Sequence, residues 1–205
     1  MKMSQIFTNK TVNEVLGEYD CTLGLDISRT STGVALYQNG ILRLYRISLT
    51  AKYDKDNPMW ESEMKKEFKD NLTKLVKGKE FDLVVVENTI NGCNAITNKE
   101  LVLLNTVFDD LVVEGVCKIK GKDNLIRPFP NVWRKALKDL AGTVTANNTK
   151  VLVVKLLHRL GYSFIIEYNE LPDSKKKALG YYDICDATGM LIAYMFKKSS
   201  LNKKG

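Results

Sequence analysis

Four carboxylates stand where an acid is either costly or paired with another. Asp26 closes Leu23-Gly24-Leu25-Asp26, an apolar run that reads as a first strand over Cys21–Asp26. Glu87 closes the continuous apolar run Leu83–Val86, the pattern of a central strand covered on both faces. Asp183 and Asp186 are three residues apart in a helical stretch and share one face. An acid at the end of a core strand needs compensation, and clustered acids repel and hold their protons. A divalent cation reverses that tendency. With oxygen ligands only, the set suits Mg²⁺ or Mn²⁺, and two such ions about 3.5–4 Å apart clamp a phosphodiester for in-line attack by water. Each acid also has a plain structural use: Asp26 as a turn cap, Glu87 as partner of a buried arginine, Asp183 as a helix N-cap and Asp186 as a first-turn acid.

The elements that must position them follow from periodicity. Gly33–Gln38 and Ile41–Ile47 alternate, and Asn39-Gly40 between them is a hairpin signal, so three strands open the fold as a meander. After a polar linker at 51–57, Met59, Trp60, Met64, Phe68, Leu72, Leu75 and Val76 recur at helical spacing, with Gly78 as the stop. A second helix is expected over Asn98–Glu114, a short strand over Leu125–Phe129, two basic helices over Asn131–Leu140 and Thr149–Leu160, and a last helix over Asp183–Lys197. Residues 1–20 read as a leader, 21–197 as one domain, and 198–205 as a frayed basic tail. Hairpins followed by alternating helices and strands give an α/β fold, a mixed sheet between helices, with active residues collecting at strand ends.

Composition narrows the function. The chain has 205 residues, enough for one core, and a net charge of +7 from 31 Lys plus Arg against 24 Asp plus Glu. That excess suits a polyanionic partner, nucleic acid first. No apolar run is long enough to span a membrane, and residues 1–20 lack a signal-peptide core. Cys21, Cys93, Cys117 and Cys185 are scattered, which argues against zinc and disulfides and for a reduced, intracellular setting. The single histidine, His158, reads as a surface or packing residue and leaves no Ser-His-Asp triad.

In order and spacing, the acids resemble those of the RuvC family of Holliday-junction resolvases. Leu-Gly-Leu-Asp26-Ile-Ser-Arg-Thr-Ser-Thr-Gly33 resembles the family's first strand, acid and Ser/Thr-Gly turn; Val-Val-Val-Glu87 resembles its fourth strand; Asp183-Ile-Cys-Asp186-Ala resembles its closing helix. Pro130-Asn-Val-Trp-Arg134-Lys135, followed by Lys150, matches the family's two basic positions near the scissile phosphate. The resemblance implies a ribonuclease H-like mixed five-stranded sheet flanked by helices. It implies a homodimer that makes paired Mg²⁺-dependent nicks in four-way DNA junctions, in the cytoplasm of a bacterial or phage-infected cell. It assigns catalysis and metal to Asp26, Glu87, Asp183 and Asp186, with Lys150 assisting. Its dimer contact falls on the helix after Glu87, where Leu101, Leu104, Val107, Phe108 and Leu111 form an apolar stripe that core packing equally explains. Arg134, Lys135, Lys138, Lys150, Lys155 and Lys175, Lys176 and Lys177 are candidates to track phosphates. Asn91 and Asn94, just after Glu87, are placed to enter the junction centre, and Tyr181 and Tyr182 to stack on bases or simply to pack. The long polar turn at 142–148, the leader and the lysine run are closer to bacteriophage and mobile-element members.

Three other readings share these features. A different nuclease of the same fold, acting on branched DNA or an RNA–DNA hybrid, would use the same acids. An actin-like kinase or ATPase also begins with Asp-Ile, but Ser28 stands where its phosphate loop needs glycine, and the chain is short for two domains. A non-catalytic junction-binding protein would have no need of all four acids.

Overall fold

In a computed structural model, residues 4–7, 17–50, 54, 56–88, 95–141, 149–159, 174 and 181–202 are described. The strands are β1 (Ser4–Phe7), β2 (Cys21–Asp26), β3 (Ser31–Gln38), β4 (Ile41–Ser48), β5 (Glu80–Phe81), β6 (Leu83–Val86), β7 (Lys118–Ile119) and β8 (Leu125–Ile126). The helices are α1 (Trp60–Val76), α2 (Ala95–Val113), α3 (Pro130–Ala141), α4 (Thr149–Arg159) and α5 (Tyr181–Asn202). The main sheet runs β1-β4-β3-β2-β6-β8, antiparallel from β1 to β2 and parallel from β2 through β6 to β8.

Strand alternation divides the core into two layers. Leu83 and Val85 of β6 pack with α3, α4 and α5, while Val84 and Val86 pack with α1 and α2. In β2, Cys21, Leu23 and Leu25 face α1 and α2. The alternate residues Thr22, Gly24 and Asp26 therefore face α5, and the Thr22 hydroxyl meets Met195 Sδ at 3.6 Å. The same parity carries Glu87, two residues after Val85, to the α5 side. Fully burying aliphatic side chains such as these is worth about 1.5–3 kcal/mol each, so the register that puts both acids on one face is strongly held.

Local signals explain most boundaries. Asn39 (φ 50°) and Gly40 (φ 78°) are both left-handed, as a two-residue primed hairpin turn requires. Gly78 (φ 72°) follows the last turn of α1, where Lys77 N–H donates to Thr73 O at 3.0 Å. Pro130 opens α3, where its missing N–H costs nothing.

Several expectations change. The leader contributes β1, which pairs antiparallel with β4 and adds a sixth strand to the five expected. Tyr19 is buried, and its hydroxyl donates to Met195 O at 3.0 Å, fastening the approach to β2 onto α5. Helix α5 runs to Asn202, past the expected fraying point, and Lys198 donates to Asn124. It also begins at Tyr181, so Asp183 lies inside the first turn rather than capping it. Helix α2 starts at Ala95, and β8 spans two residues rather than five, since Pro128 and Pro130 cannot donate to a ladder. Leu104, Val107, Phe108 and Leu111 are fully buried against the sheet, so that part of the α2 stripe is core and not a dimer surface. No described helix is long and apolar enough to cross a membrane.

Candidate active site

Backbone pairing sets the acids side by side. Leu25 pairs with Val86 across the parallel strands, and Glu87 N–H donates to Leu25 O at 3.0 Å, extending the ladder one step beyond β6. Asp26 and Glu87 thus leave adjacent strands at the same C-terminal edge. Helix α5 is brought down onto that edge by two glycines. A Cβ on Gly24 would stand 2.6 Å from Ala187 O, and one on Gly33, the antiparallel partner of Asp26, 2.0 Å from Asp183 O. Any side chain there would lift the first turns of α5 away, and with them Asp183 and Asp186.

The electrostatics follow from that proximity. Burial raises the Asp26 pKa well above the usual carboxylate value, and the charges of Asp186, Glu87 and Asp183 push it further, against a smaller pull from Arg134. Asp186, a buried residue, is raised to about 7, by burial first and then by the charges of Glu87 and Asp183, with Arg134 pulling the other way. Glu87 is raised by burial and drawn back by Arg134 and by a hydrogen bond from Trp133.

Helix α3 supplies the polar partners. The fully buried indole of Trp133 donates through Nε1 to Glu87 Oε2 at 3.1 Å. Arg134 places its guanidinium over the Trp133 ring, 4.7 Å from the centroid, and donates through Nη2 to Asp186 Oδ2 at 3.3 Å. Asp186 Oδ1 is buried with no hydrogen-bond partner. An orphaned carboxylate oxygen beside three other acids is a costly arrangement for a closed structure and fits a group that receives a cation. The donor set, all carboxylate, fits a hard divalent ion. As they stand, no three His, Cys, Asp or Glu side chains among the described residues enclose such an ion. Arg134 holds Asp186 through Oδ2, which leaves Oδ1 as the oxygen open to an ion.

The remaining candidates divide. Arg134 is only partly exposed and belongs to the acid cluster rather than to a solvated helix face. Lys135, Lys138 and Lys155 are exposed, on α3 and α4. Lys150 lies in the first turn of α4, and its side chain is outside the description. Asn91, Asn94, Lys175, Lys176 and Lys177 fall outside the described residues. Tyr181 is buried with its ring edge-on to Tyr182, which is packing; His158 is exposed. Sequence reasoning missed Trp133 as the orienting donor for Glu87. A tryptophan one residue before the candidate cation Arg134 was the available signal, because a buried indole N–H needs an acceptor.

No family model matches the chain, and no curated protein matches it by sequence. Solved structures do match its architecture. Thermus thermophilus RuvC in complex with a Holliday junction substrate aligns with a TM-score of 0.50 at 10% identity, over 87% of this chain and 96% of that one. The yeast mitochondrial Holliday junction resolvase aligns with a TM-score of 0.61 at 10% identity, over 94% of this chain and 86% of that one. Acids at the C-terminal edge of adjacent parallel strands, a closing helix bearing two more, and a mixed sheet between helical layers together make this chain's fold the RuvC-like form of the ribonuclease H architecture.

Proposed function

We propose that the protein is a structure-selective endonuclease that resolves four-way DNA junctions by paired metal-dependent nicks. The observation that carries the reading is the convergence of four acids at the ends of β2 and β6 and on α5, with Asp26 raised by burial and by its neighbours and Asp186 Oδ1 left without a partner. The fold shared with resolvases of known substrate supports the choice of branched DNA.

In this reading Asp26, Glu87, Asp183 and Asp186 hold the divalent ions, Mg²⁺ with Mn²⁺ as substitute. Bound there, the ions supply an acidic water and stabilise charge on the phosphodiester. The chain's own groups do the rest. Trp133 fixes the rotamer of Glu87 through its indole N–H, the kind of outer contact that orients a ligand. Arg134, released from Asp186, offers its guanidinium to a phosphate oxygen beside the acids. Lys150 stands at the start of α4 to add a second cation as charge grows in the transition state. Lys135, Lys138 and Lys155 track the backbone, with Lys175, Lys176 and Lys177 as further phosphate contacts and Asn91 and Asn94 as the residues that enter the junction centre. Two copies of the chain would place two such sites across one junction, with a dimer contact other than the buried α2 residues.

The test is cleavage of a synthetic four-way junction in Mg²⁺ and in Mn²⁺, beside linear duplex, flap and RNA–DNA hybrid controls, with Asp26→Asn in parallel. Paired symmetric nicks confined to the junction and lost in the variant are expected. Preferential cutting of the flap or hybrid would move the activity to another branch of the same fold. Tight junction binding without cutting in either metal would leave a binding protein.

A further inference from the structure

The acid cluster does not use a rigid apolar step that stands beside it. Phe129 is 50% exposed and Val132 43% exposed, at the start of α3. A single exposed apolar residue needs no explanation, but this pair is unusually well mounted. Phe129 lies between Pro128 and Pro130, both buried, and each proline fixes its own φ. Its carbonyl accepts from Val132 N–H at 3.0 Å and from Trp133 N–H at 3.3 Å, so its backbone is the cap of the helix. Pro128 O accepts from Asn88 N–H at 2.9 Å, one residue past Glu87. The next residue along the helix from Val132 is Trp133, whose indole holds Glu87. The Phe129 backbone is therefore held in place, between a proline bonded one residue past Glu87 and the helix that carries Trp133.

The charge around the step indicates what covers it. Lys135 is three residues beyond Val132 and Lys138 three beyond that, both exposed and on one ridge of α3. No acid occurs in the first turn. An aromatic face rimmed by cations suits a ligand with an apolar plane and an anionic backbone.

We propose that Phe129, with Val132 beside it, is a stacking platform for an unstacked nucleobase at the branch point of DNA, setting which phosphate lies over the acids. The inference rests on the junction-nuclease reading and adds a specificity-determining surface to it. Bases within a linear duplex are already stacked on both sides, so the platform discriminates branched from linear DNA.

The experiment measures binding of the full chain to a four-way junction and to a matched linear duplex in EDTA, with 2-aminopurine at the branch point. Wild type, Phe129→Ala, Phe129→Leu and Phe129→Trp are compared, each checked for an unchanged melting temperature. Stacking on one aromatic ring is worth about a tenfold change in affinity or more. Phe129→Ala and Phe129→Leu are expected to lose about that factor on the junction, to leave duplex affinity unchanged, and to alter the 2-aminopurine emission. Phe129→Trp should retain both. Wild-type junction affinity and emission in Phe129→Ala would overturn this inference alone. An equal loss on junction and duplex would also overturn it, since that is general backbone binding. A wild-type protein with no preference for junction over duplex would overturn the nuclease reading together with it.

Discussion

At the N-terminal ends of β2 and β6, Asp82 accepts from Asp20 N–H at 2.7 Å and Cys21 N–H at 2.9 Å, and pairs with Lys120 at 2.6 Å. Burial pushes its pKa up, but Lys120 and the two N–H groups outweigh that, and the net shift is downward. At the C-terminal ends of the same two strands, Asp26 and Glu87 are shifted upward together with Asp186 of the helix α5 packed there, and one buried oxygen of Asp186 has no partner. The strands and the residue type are the same; the supply of donors differs. A carboxylate that only fastens strands is given its donors by the fold. In the reading proposed above, the carboxylates left short of donors at the other end are completed by a metal ion.

Breaking the comparison at its functional end should have the largest effect. Asp26→Asn should lower junction nicking on the order of a thousandfold, measured under single-turnover conditions. The same change should stabilise the metal-free protein at neutral pH. Because the folded pKa of Asp26 is raised, the native state holds its proton more tightly than the unfolded chain. Its favourable contribution is complete below the unfolded value near pH 4 and is lost as pH rises through the folded value. The variant should therefore melt about 2–4 °C higher than wild type at pH 7.5, for a gain on the order of 1 kcal/mol, and with little difference at pH 4.

Trp133→Phe keeps the ring in the core and removes the Nε1 donor. Nicking should fall about tenfold to a hundredfold, with the Mg²⁺ concentration for half-maximal rate rising, while thermal stability drops far less. A purely structural tryptophan would lose stability without any change in metal dependence.

At the other end, Asp82→Ala should cost about 1–3 kcal/mol by orphaning the Cys21 N–H and leave the nicking rate at 25 °C unchanged. Its folded pKa is lowered, so the stabilisation it supplies is present above the unfolded value and disappears as pH falls through the folded one. The melting deficit of the variant should be widest near neutral pH and close in acid, opposite in sign to Asp26→Asn. The smallest effect is expected from Lys135→Gln, whose exposed charge should reduce the slope of log affinity against log salt by about one.

How much of this was legible follows the range of the signals. The strand-ending acids, the Asn39-Gly40 turn and the continuous apolar run Leu83–Val86 are local patterns, and the opening meander and central strand they imply are observed. The apolar stripe of α2 was ambiguous because a core face and a dimer face look alike along one helix; burial of Leu104, Val107, Phe108 and Leu111 decides it. The edge strand β1 was missed because an edge strand needs only backbone pairing with a partner about 40 residues away, Ser4 against Leu44. Gly24 and Gly33 read as ordinary strand and turn glycines until α5 is laid across them. The Trp133–Glu87 hydrogen bond joins residues 46 apart and has no trace in local periodicity.

The most direct test of the central claim is the melting temperature at pH 7.5 of wild type, Asp26→Asn and Asp82→Ala, each in EDTA and in saturating Mg²⁺ or Mn²⁺. A ligand that binds only the folded state stabilises it, by about 2.7 kcal/mol at a hundredfold excess over its dissociation constant. Wild type and Asp82→Ala should rise by the same several degrees on adding metal, while Asp26→Asn, already higher in EDTA, should gain little. Equal metal shifts in wild type and Asp26→Asn, or no shift in wild type, would contradict the claim that the unsatisfied acids are a metal site.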